Sequence, residues 1–362
     1  MKMRVLDWIV CPVDGSPLRV ENAVTTGEGD DLDVVSGLLV CDQGHAFPIR
    51  DGVPRLRPDD LLADDSDEAA EIHRRAAEGK TIAASFGREW DHFDHDTSRT
   101  WHETVEDRQK LFMQEVALTQ EQLRGKVVLD AGSGNGSHSN GISQLGCEVL
   151  GADVTDAVTE AHKRYSTKPG SRVHYLQADL MNPPFKPASV DVMYSSGVLH
   201  HNPDTKAALD SVLKSLKPGG TCYIWVYHME PGLKFRLQLM LRAVVSRWPA
   251  PLKHTFVRVW SVQSMIRQHI RTLLNLNDEK DRLTWSERIV DLMDIYTPRY
   301  RFMHTQEEVK GWYAEYDMAD VVTSEVRDWG FGVVGRLPTG LGSSEHNTHT
   351  SSEHVLTQEA SG

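Results

Sequence analysis

The sequence predicts an α/β fold whose body is a doubly wound parallel sheet, and three observations lead there. First, Val127, Val128 and Leu129 form a short aliphatic run that reads as a buried strand, ends in Asp130 and enters a loop with glycine at 132, 134 and 136. Second, further strand-like runs at 147–152, 173–177, 190–194 and 221–227 alternate with helical patterning at about 157–165 and 205–216. Third, Asp153, Asp179 and Ser196 each follow one of these runs. Strands alternating with helices imply a parallel sheet, whose ligands sit outside the carboxyl ends of the strands.

Size and composition bound the rest. The chain has 362 residues and a net charge of −13, which argues against a polyanion as the main partner. No apolar run reaches the roughly 18 residues a membrane span needs. The amino-terminal residues do not read as a secretory leader. Four scattered cysteines exclude a disulfide scaffold and fit a reducing cytosol, so a cytoplasmic location is expected. The charge is uneven: residues 231–277 contain no Asp or Glu and eight Lys or Arg.

In chain order, residues 1–57 read as a small β-rich module. Cys11-Pro-Val-Asp14 and Cys41-Asp-Gln-Gly-His45 form two knuckles about 30 residues apart, the spacing of a zinc ribbon. Cys11, Asp14, Cys41 and His45 make a four-ligand set; the other reading is a ribbon that holds together by packing alone. Residues 58–124 read as an acidic linker, a solvated helix at 64–78, an aromatic- and His-rich stretch at 85–101, and helical spacing over 103–123. The aromatic stretch is either a packed arm or a cap over a ligand cleft. Residues 125–230 carry the sheet core. Residues 231–303 are too long for a connecting loop and read as a helical lid or substrate subdomain. Residues 304–338 complete the sheet: Thr305-Gln-Glu-Glu308 is a capping box for a helix, and two strands follow at 320–327 and 331–337. The tail, 339–362, has almost nothing apolar and is expected to be disordered.

The chemistry follows from the strand ends. Glycines let the backbone turn tightly and let a ligand approach the main chain, and the helix opened by 137–140 points free N–H groups at it. Asp130 before the glycines would repel a pyrophosphate but suits a cationic amino group, as in S-adenosylmethionine (SAM). Asp130, Gly132, Ser133, Gly134 and Gly136 would hold the methionine portion. Asp153, with Val154 beside it, would accept the ribose hydroxyls. Asp179, flanked by Ala178 and Leu180, would take the adenine amine and ring edge. Ser196 and Gly197 would pass beneath the sulfonium. His200 is the candidate base, His201 a helix cap or substitute base, and Glu230 a group that orients the base.

These motifs (Leu129-Asp-Ala-Gly-Ser-Gly-Asn-Gly136, Gly151-Ala-Asp153, Gln177-Ala-Asp-Leu180, Ser196-Gly-Val-Leu-His-His201 and Leu216-Lys-Pro-Gly-Gly220) resemble the class I SAM-dependent methyltransferases, especially the small-molecule branch. The resemblance implies a seven-stranded Rossmann-like sheet whose last hairpin inserts one antiparallel strand, with the helical insertion placed after the fifth strand. It also implies SAM as cofactor and a catalytic His at position 200. Residues 11–18 and 47–54 (Cys-Pro-Val-Asp-Gly-Ser-Pro-Leu and Phe-Pro-Ile-Arg-Asp-Gly-Val-Pro) resemble the zinc-ribbon-like domain of the tRNA methyltransferase activator family. The Cys41–His45 knuckle also resembles the zinc module of certain ribosomal-RNA guanine methyltransferases. Both families have Cys where this chain has Asp14. The expected activity is methyl transfer to O, N or C of a small acceptor, anionic or a secondary metabolite. The alternatives are an rRNA or tRNA acceptor held by the module and the basic block, and a cofactor-binding partner without catalysis. The sequence names neither the acceptor nor the oligomeric state.

Overall fold

The computed structural model describes residues 1–62, 83, 104–229, 232–274, 284–326 and 329–339. The helix expected at 64–78, the aromatic stretch at 85–101, Glu230 and the tail after 339 lie outside the described residues.

The amino-terminal module is a four-stranded antiparallel sheet in sequential order: β1 (Leu18–Thr26), β2 (Asp33–Cys41), β3 (Ala46–Arg50) and β4 (Val53–Pro54). Leu39, Cys41, Phe47 and Ile49 are buried in its core. Helices α1 (Val105–Glu115) and α2 (Gln120–Leu123) precede the central sheet, each started by a capping box, from Thr104 and Thr119. The spacing over 103–123 suggests continuous helix, but the chain breaks at Ala117, whose φ of 52° lies in the left-handed region.

The central sheet runs through β5 (Val127–Ala131), α3 (Ser137–Ser143), β6 (Glu148–Asp153), α4 (Ala157–Ala161), β7 (Val173–Gln177), β8 (Val190–Ser196), α5 (Thr205–Leu213) and β9 (Leu216–Tyr227). The insertion follows as α6 (Leu233–Val245), α7 (Ala250–Leu273) and α8 (Trp285–Tyr296). Helix α9 (Gln306–Ala314), capped by Thr305 as expected, leads to β10 (Ala319–Thr323) and β11 (Gly330–Arg336). Seven strands pair in the order β10-β11-β9-β8-β5-β6-β7. Strand β11 is antiparallel to both neighbours, and the β5, β6, β7, β8 and β9 pairings are parallel. This is the doubly wound seven-stranded fold with one reversed strand. Strand order turns back at β5, between β6 and β8, so the crevice opens at the tip of β5.

Several element bounds differ from expectation: the strand expected over 320–327 ends at Thr323, and the helix expected over 205–216 ends at Leu213. Strand β9 begins at Leu216, because Leu216 already pairs with Val190, and a register shift absorbs the Pro-Gly-Gly turn. The helix from 157 is α-helical only to Ala161 and continues as a π turn, His162–Ser166.

One core joins module and sheet. Leu39, Phe47 and Leu56 belong to the same buried cluster as Leu176, Ala178 and Phe185. The backbone is joined as well: Leu56 N–H donates to the carbonyl of Gln177 on edge strand β7 (2.8 Å), Val10 N–H to Pro184 (2.9 Å) and Lys186 N–H to Trp8 (2.8 Å). The module thereby covers the sheet edge that would otherwise expose unpaired strand groups. The insertion has its own small core of Val245, Val257, Leu292, Met293 and Tyr296, with Phe256 stacked on Trp260 at 5.1 Å. Among the described residues, no helix is long and apolar enough to cross a membrane.

Candidate active site

Strands β5, β6 and β7 bring the three predicted carboxylates to one crevice. Gly132 and Ser133 donate their N–H groups to the carbonyl of Ala152, at 2.8 and 3.0 Å, and Gly134 N–H donates to Asp153 Oδ2 at 2.9 Å. Ala178 N–H reaches the Asp153 carbonyl at 2.9 Å. The glycine loop, Asp153 and Val154, and the Ala178–Leu180 turn therefore form one continuous wall. Gly136 has φ 78°, and a Cβ there would lie 2.6 Å from both Ala161 and the Tyr175 ring, so only glycine fits. From the β8 side, the Ser196–Gly197 turn directs the Val198 side chain against Gly132, where a Cβ would come within 2.2 Å of it.

Among the described residues, the charges in this wall lack cationic partners. Asp130 is 4% exposed and accepts a hydrogen bond from Ser139 Oγ. Burial pushes its carboxyl up to about 6, with the Asp153 charge adding to the rise. Asp179 is 7% exposed and accepts from Met181 N–H at 2.9 Å; burial raises its pKa too. Asp153 Oδ1 accepts from the N–H and hydroxyl of Thr155 at 2.8 and 2.7 Å. Among the described residues, none of the three pairs with a Lys or Arg. Ser133 Oγ is buried and without a hydrogen-bond partner. A carboxylate whose charge burial disfavours, and which has no counter-ion among the described residues, suits a cationic amino group, so the donor set fits SAM.

On the other side of the crevice, His200 is fully buried between the β8–β9 tips and the insertion, and both its ring nitrogens lack partners. Its ring lies 4.4 Å from that of Tyr227 and 4.3 Å from that of His201. Burial lowers its pKa well below the ordinary value, and His201, Arg301, His304 and Arg242 lower it further. The ring is held neutral, the form a base requires. His201 is placed differently: Nδ1 lies 3.0 Å from the Tyr300 carbonyl and Nε2 3.5 Å from Asp294 Oδ1. Both nitrogens face acceptors, so the ring serves as a donor that ties β8 to the insertion. Tyr227 also donates to Asp294. Arg301 stacks on the Tyr227 ring at 3.9 Å, and Arg242, 8% exposed, donates to the Pro298 carbonyl at 2.8 Å. Burial and the neighbouring Arg301 bring the Arg242 guanidinium down to about 10.

The module gathers its four candidate ligands within 4.8 Å of one another. Cys11 Sγ and Cys41 Sγ lie 3.7 and 3.4 Å from His45 Nδ1; Asp14 Oδ2 lies 3.4 Å from Cys41 Sγ and 3.1 Å from His45 Nδ1. Tetrahedral zinc, with ligands about 2.0–2.3 Å away, spaces them about 3.3–3.8 Å apart. The other carboxylate oxygen, Asp14 Oδ1, accepts from Ser16 N–H and Oγ, which orients Oδ2 toward the cluster. The donor set fits a divalent zinc ion, with carboxylate replacing one thiolate.

Comparison with known proteins agrees with this geometry. Residues 129–224 match the family model described as "Methyltransferase domain". The sheet core is a methyltransferase domain. Residues 2–52 match the model "Trm112p-like protein". The methyltransferase domain is similar to sterol 24-C-methyltransferase of Eremothecium gossypii, with 35% identity over 107 residues, 28% of this chain and 29% of that one. It is 32% identical over 102 residues to the ubiquinone biosynthesis O-methyltransferase of Idiomarina loihiensis, covering 28% of this chain and 42% of that one. The chain spans 28–56% of the length of the curated relatives it matches. Among solved structures, the complex of the Haloferax volcanii Trm112 methyltransferase activator with a methyltransferase superposes at TM-score 0.42 and 14% identity, over 72% of this chain and 98% of that one. At that level of superposition it adds no weight to the assignment.

Tyr227, Arg242, Asp294 and Arg301 surround the two histidines of the methyltransferase domain, and of these only Arg242 stands out in the sequence, as one of the eight basic residues. Asp294 leaves a trace: it is a carboxylate inside the apolar run Leu292-Met293-Asp294-Ile295-Tyr296 of α8. Arg55 also escapes sequence reasoning. It donates to Gln177 Oε1 (2.8 Å) and Thr159 Oγ1 (2.7 Å) across the module–sheet junction.

Proposed function

We propose that this protein transfers a methyl group from SAM to O, N or C of a small anionic acceptor by direct displacement. The carrying observation is the crevice itself: three carboxylates with no Lys or Arg partner among the described residues on one wall, and the unpartnered His200 near the other. Asp130 receives the amino group, Asp153 the ribose hydroxyls, and Asp179 with Ala178 and Leu180 the adenine, while Ser196 and Gly197 line the sulfonium. Bound SAM supplies an electrophilic methyl and a neutral leaving group, so positioning the acceptor in line contributes most of the acceleration. His200, neutral and unpartnered, accepts a proton from an acceptor that must lose one. Asp294 anchors His201 and Tyr227, which frame His200. Arg242 and Arg301 bring two positive charges beside it, and the nearby carboxylate of Asp294 is engaged by His201 and Tyr227. Asp291, the other carboxylate in reach of Arg301, is paired with Arg288 at 3.1 Å, so the guanidinium groups of Arg242 and Arg301 favour an acceptor bearing a carboxylate or phosphate.

The RNA reading draws on the basic block. Of its eight basic residues, however, Arg242 is buried at the site and Lys253 donates to the Thr297 carbonyl at 3.2 Å, which favours the small acceptor. We assign zinc to Cys11, Asp14, Cys41 and His45 as a structural ion, on their spacing.

The test has two arms. Calorimetry with SAM and S-adenosylhomocysteine should show binding; no binding ends the reading. Intact-mass screening should then find methylation among carboxylate- or phosphate-bearing acceptors and not among their neutral amides or esters. His200→Ala should lower turnover and leave cofactor affinity intact; equal loss of both would make His200 structural.

A further inference from the structure

Among the described residues, the outer faces of α6 and α7 are apolar and uncovered. On α6, Leu233, Leu237, Met240 and Val244 recur every three or four positions and are 55–74% exposed. On α7, Val259, Val262, Ile266, Ile270 and Leu273 follow the same spacing and are 48–70% exposed. Such spacing places each set on one helix face. The opposite faces are accounted for: Phe235, Arg242 and Val245 of α6 and Val257 and Ser261 of α7 are buried. Single exposed aliphatic residues need no explanation, but continuous stripes along two consecutive helices do.

Charge decides the occupant. Arg236, Arg258 and Arg267 are exposed on these helices, and 231–277 has no acidic residue although the whole chain carries −13. At 100° per residue, Arg258 and Arg267 fall on opposite sides of the α7 stripe. A second copy meeting this face through its own equivalent would set arginine against arginine. RNA would engage the arginines and leave the stripe in water. A bilayer surface with anionic headgroups satisfies both, taking the stripe into the acyl boundary and the arginines at the phosphates. We propose that α6 and α7 seat this protein on an anionic membrane surface, lying in the headgroup layer rather than spanning it. Helix α6 is then shared: its outer face meets lipid and its inner face carries Arg242 to the acceptor side.

Co-sedimentation of the full chain tests this, with vesicles of phosphatidylcholine alone and of phosphatidylcholine and phosphatidylglycerol in equal parts. The expected result is binding to the mixed vesicles, weakened by salt, with little binding to the neutral ones. Ile266→Asp with Ile270→Asp should abolish it, and Arg258→Gln with Arg267→Gln should weaken it about fivefold per arginine removed. Both pairs lie on exposed positions, and an unchanged thermal shift with S-adenosylhomocysteine verifies the fold independently of lipid binding. Wild-type protein remaining in the supernatant with phosphatidylglycerol vesicles overturns the proposal. So does a dimer by light scattering that the isoleucine pair dissociates without any vesicle binding, or RNA binding in place of vesicle binding.

Discussion

Asp130 shows how burial tunes one carboxylate toward the proposed amino-group ligand. Its carboxyl is raised from an ordinary 3.8 to about 6 by burial. With the folded value above the unfolded one, its contribution to stability is fully present below about pH 3.8 and is lost as pH rises through about 6. Binding a cationic amino group needs the carboxylate, so ligand affinity should move the other way. SAM affinity is expected to fall about tenfold per pH unit below 6 and to level off above it; calorimetry across that range checks this, and Asp130→Asn should flatten the profile. Asp153 has a different task. Asp153→Ala should weaken S-adenosylhomocysteine binding by about 1–3 kcal/mol, through the lost hydroxyl contacts and the freed Gly134 N–H. Unchanged affinity by calorimetry would remove Asp153 from the site. Both residues were legible in the sequence because each ends an aliphatic strand run, Asp130 before the glycine loop and Asp153 at the tip of the next strand.

At the scale of elements, the junction between β4 and β7 is the feature with most consequence. Arg55 is 6% exposed and bonds Asp156, Gln177 and Thr159. The Asp156 side chain is 77% exposed, so solvent screens that ion pair. The larger loss in Arg55→Ala comes from leaving Gln177 and Thr159 without a donor. The expected cost is about 1–3 kcal/mol, read as a lowered urea midpoint with unchanged slope. Gln177 lies two residues before Asp179, so cofactor affinity should fall in the same variant. The helical insertion was legible as helices from its periodicity. Its docking was not, because Asp294 meets His201 and Tyr227 only after α8 folds back over the sheet.

For the molecule as a whole, module and sheet share a core, and they should therefore unfold together. Differential scanning calorimetry is expected to give one cooperative transition, and two separate transitions would contradict a shared core. An ion held by Cys11, Asp14, Cys41 and His45 binds the folded state preferentially, so a chelator should lower that single melting temperature. Metal analysis should find one zinc per chain, and Cys41→Ser should reproduce the effect of the chelator. A melting temperature indifferent to chelator, with no metal found, would show a ribbon held by packing alone.

The amino-acid sequence by itself determined the α/β class, the strand and helix succession, the glycine loop and the three carboxylates of the crevice. These follow from hydrophobic period, from the backbone freedom of glycine and from the rule that parallel strands end where ligands bind, all of which act over short stretches of chain. Only the tertiary structure decided that the module seals the β7 edge, that His201 is tied while His200 is left without partners, and that Arg242 and Arg301 converge beside it. Those relations join residues up to 178 positions apart, as Trp8 and Lys186 are, and no local pattern encodes a contact that exists only once distant surfaces have packed.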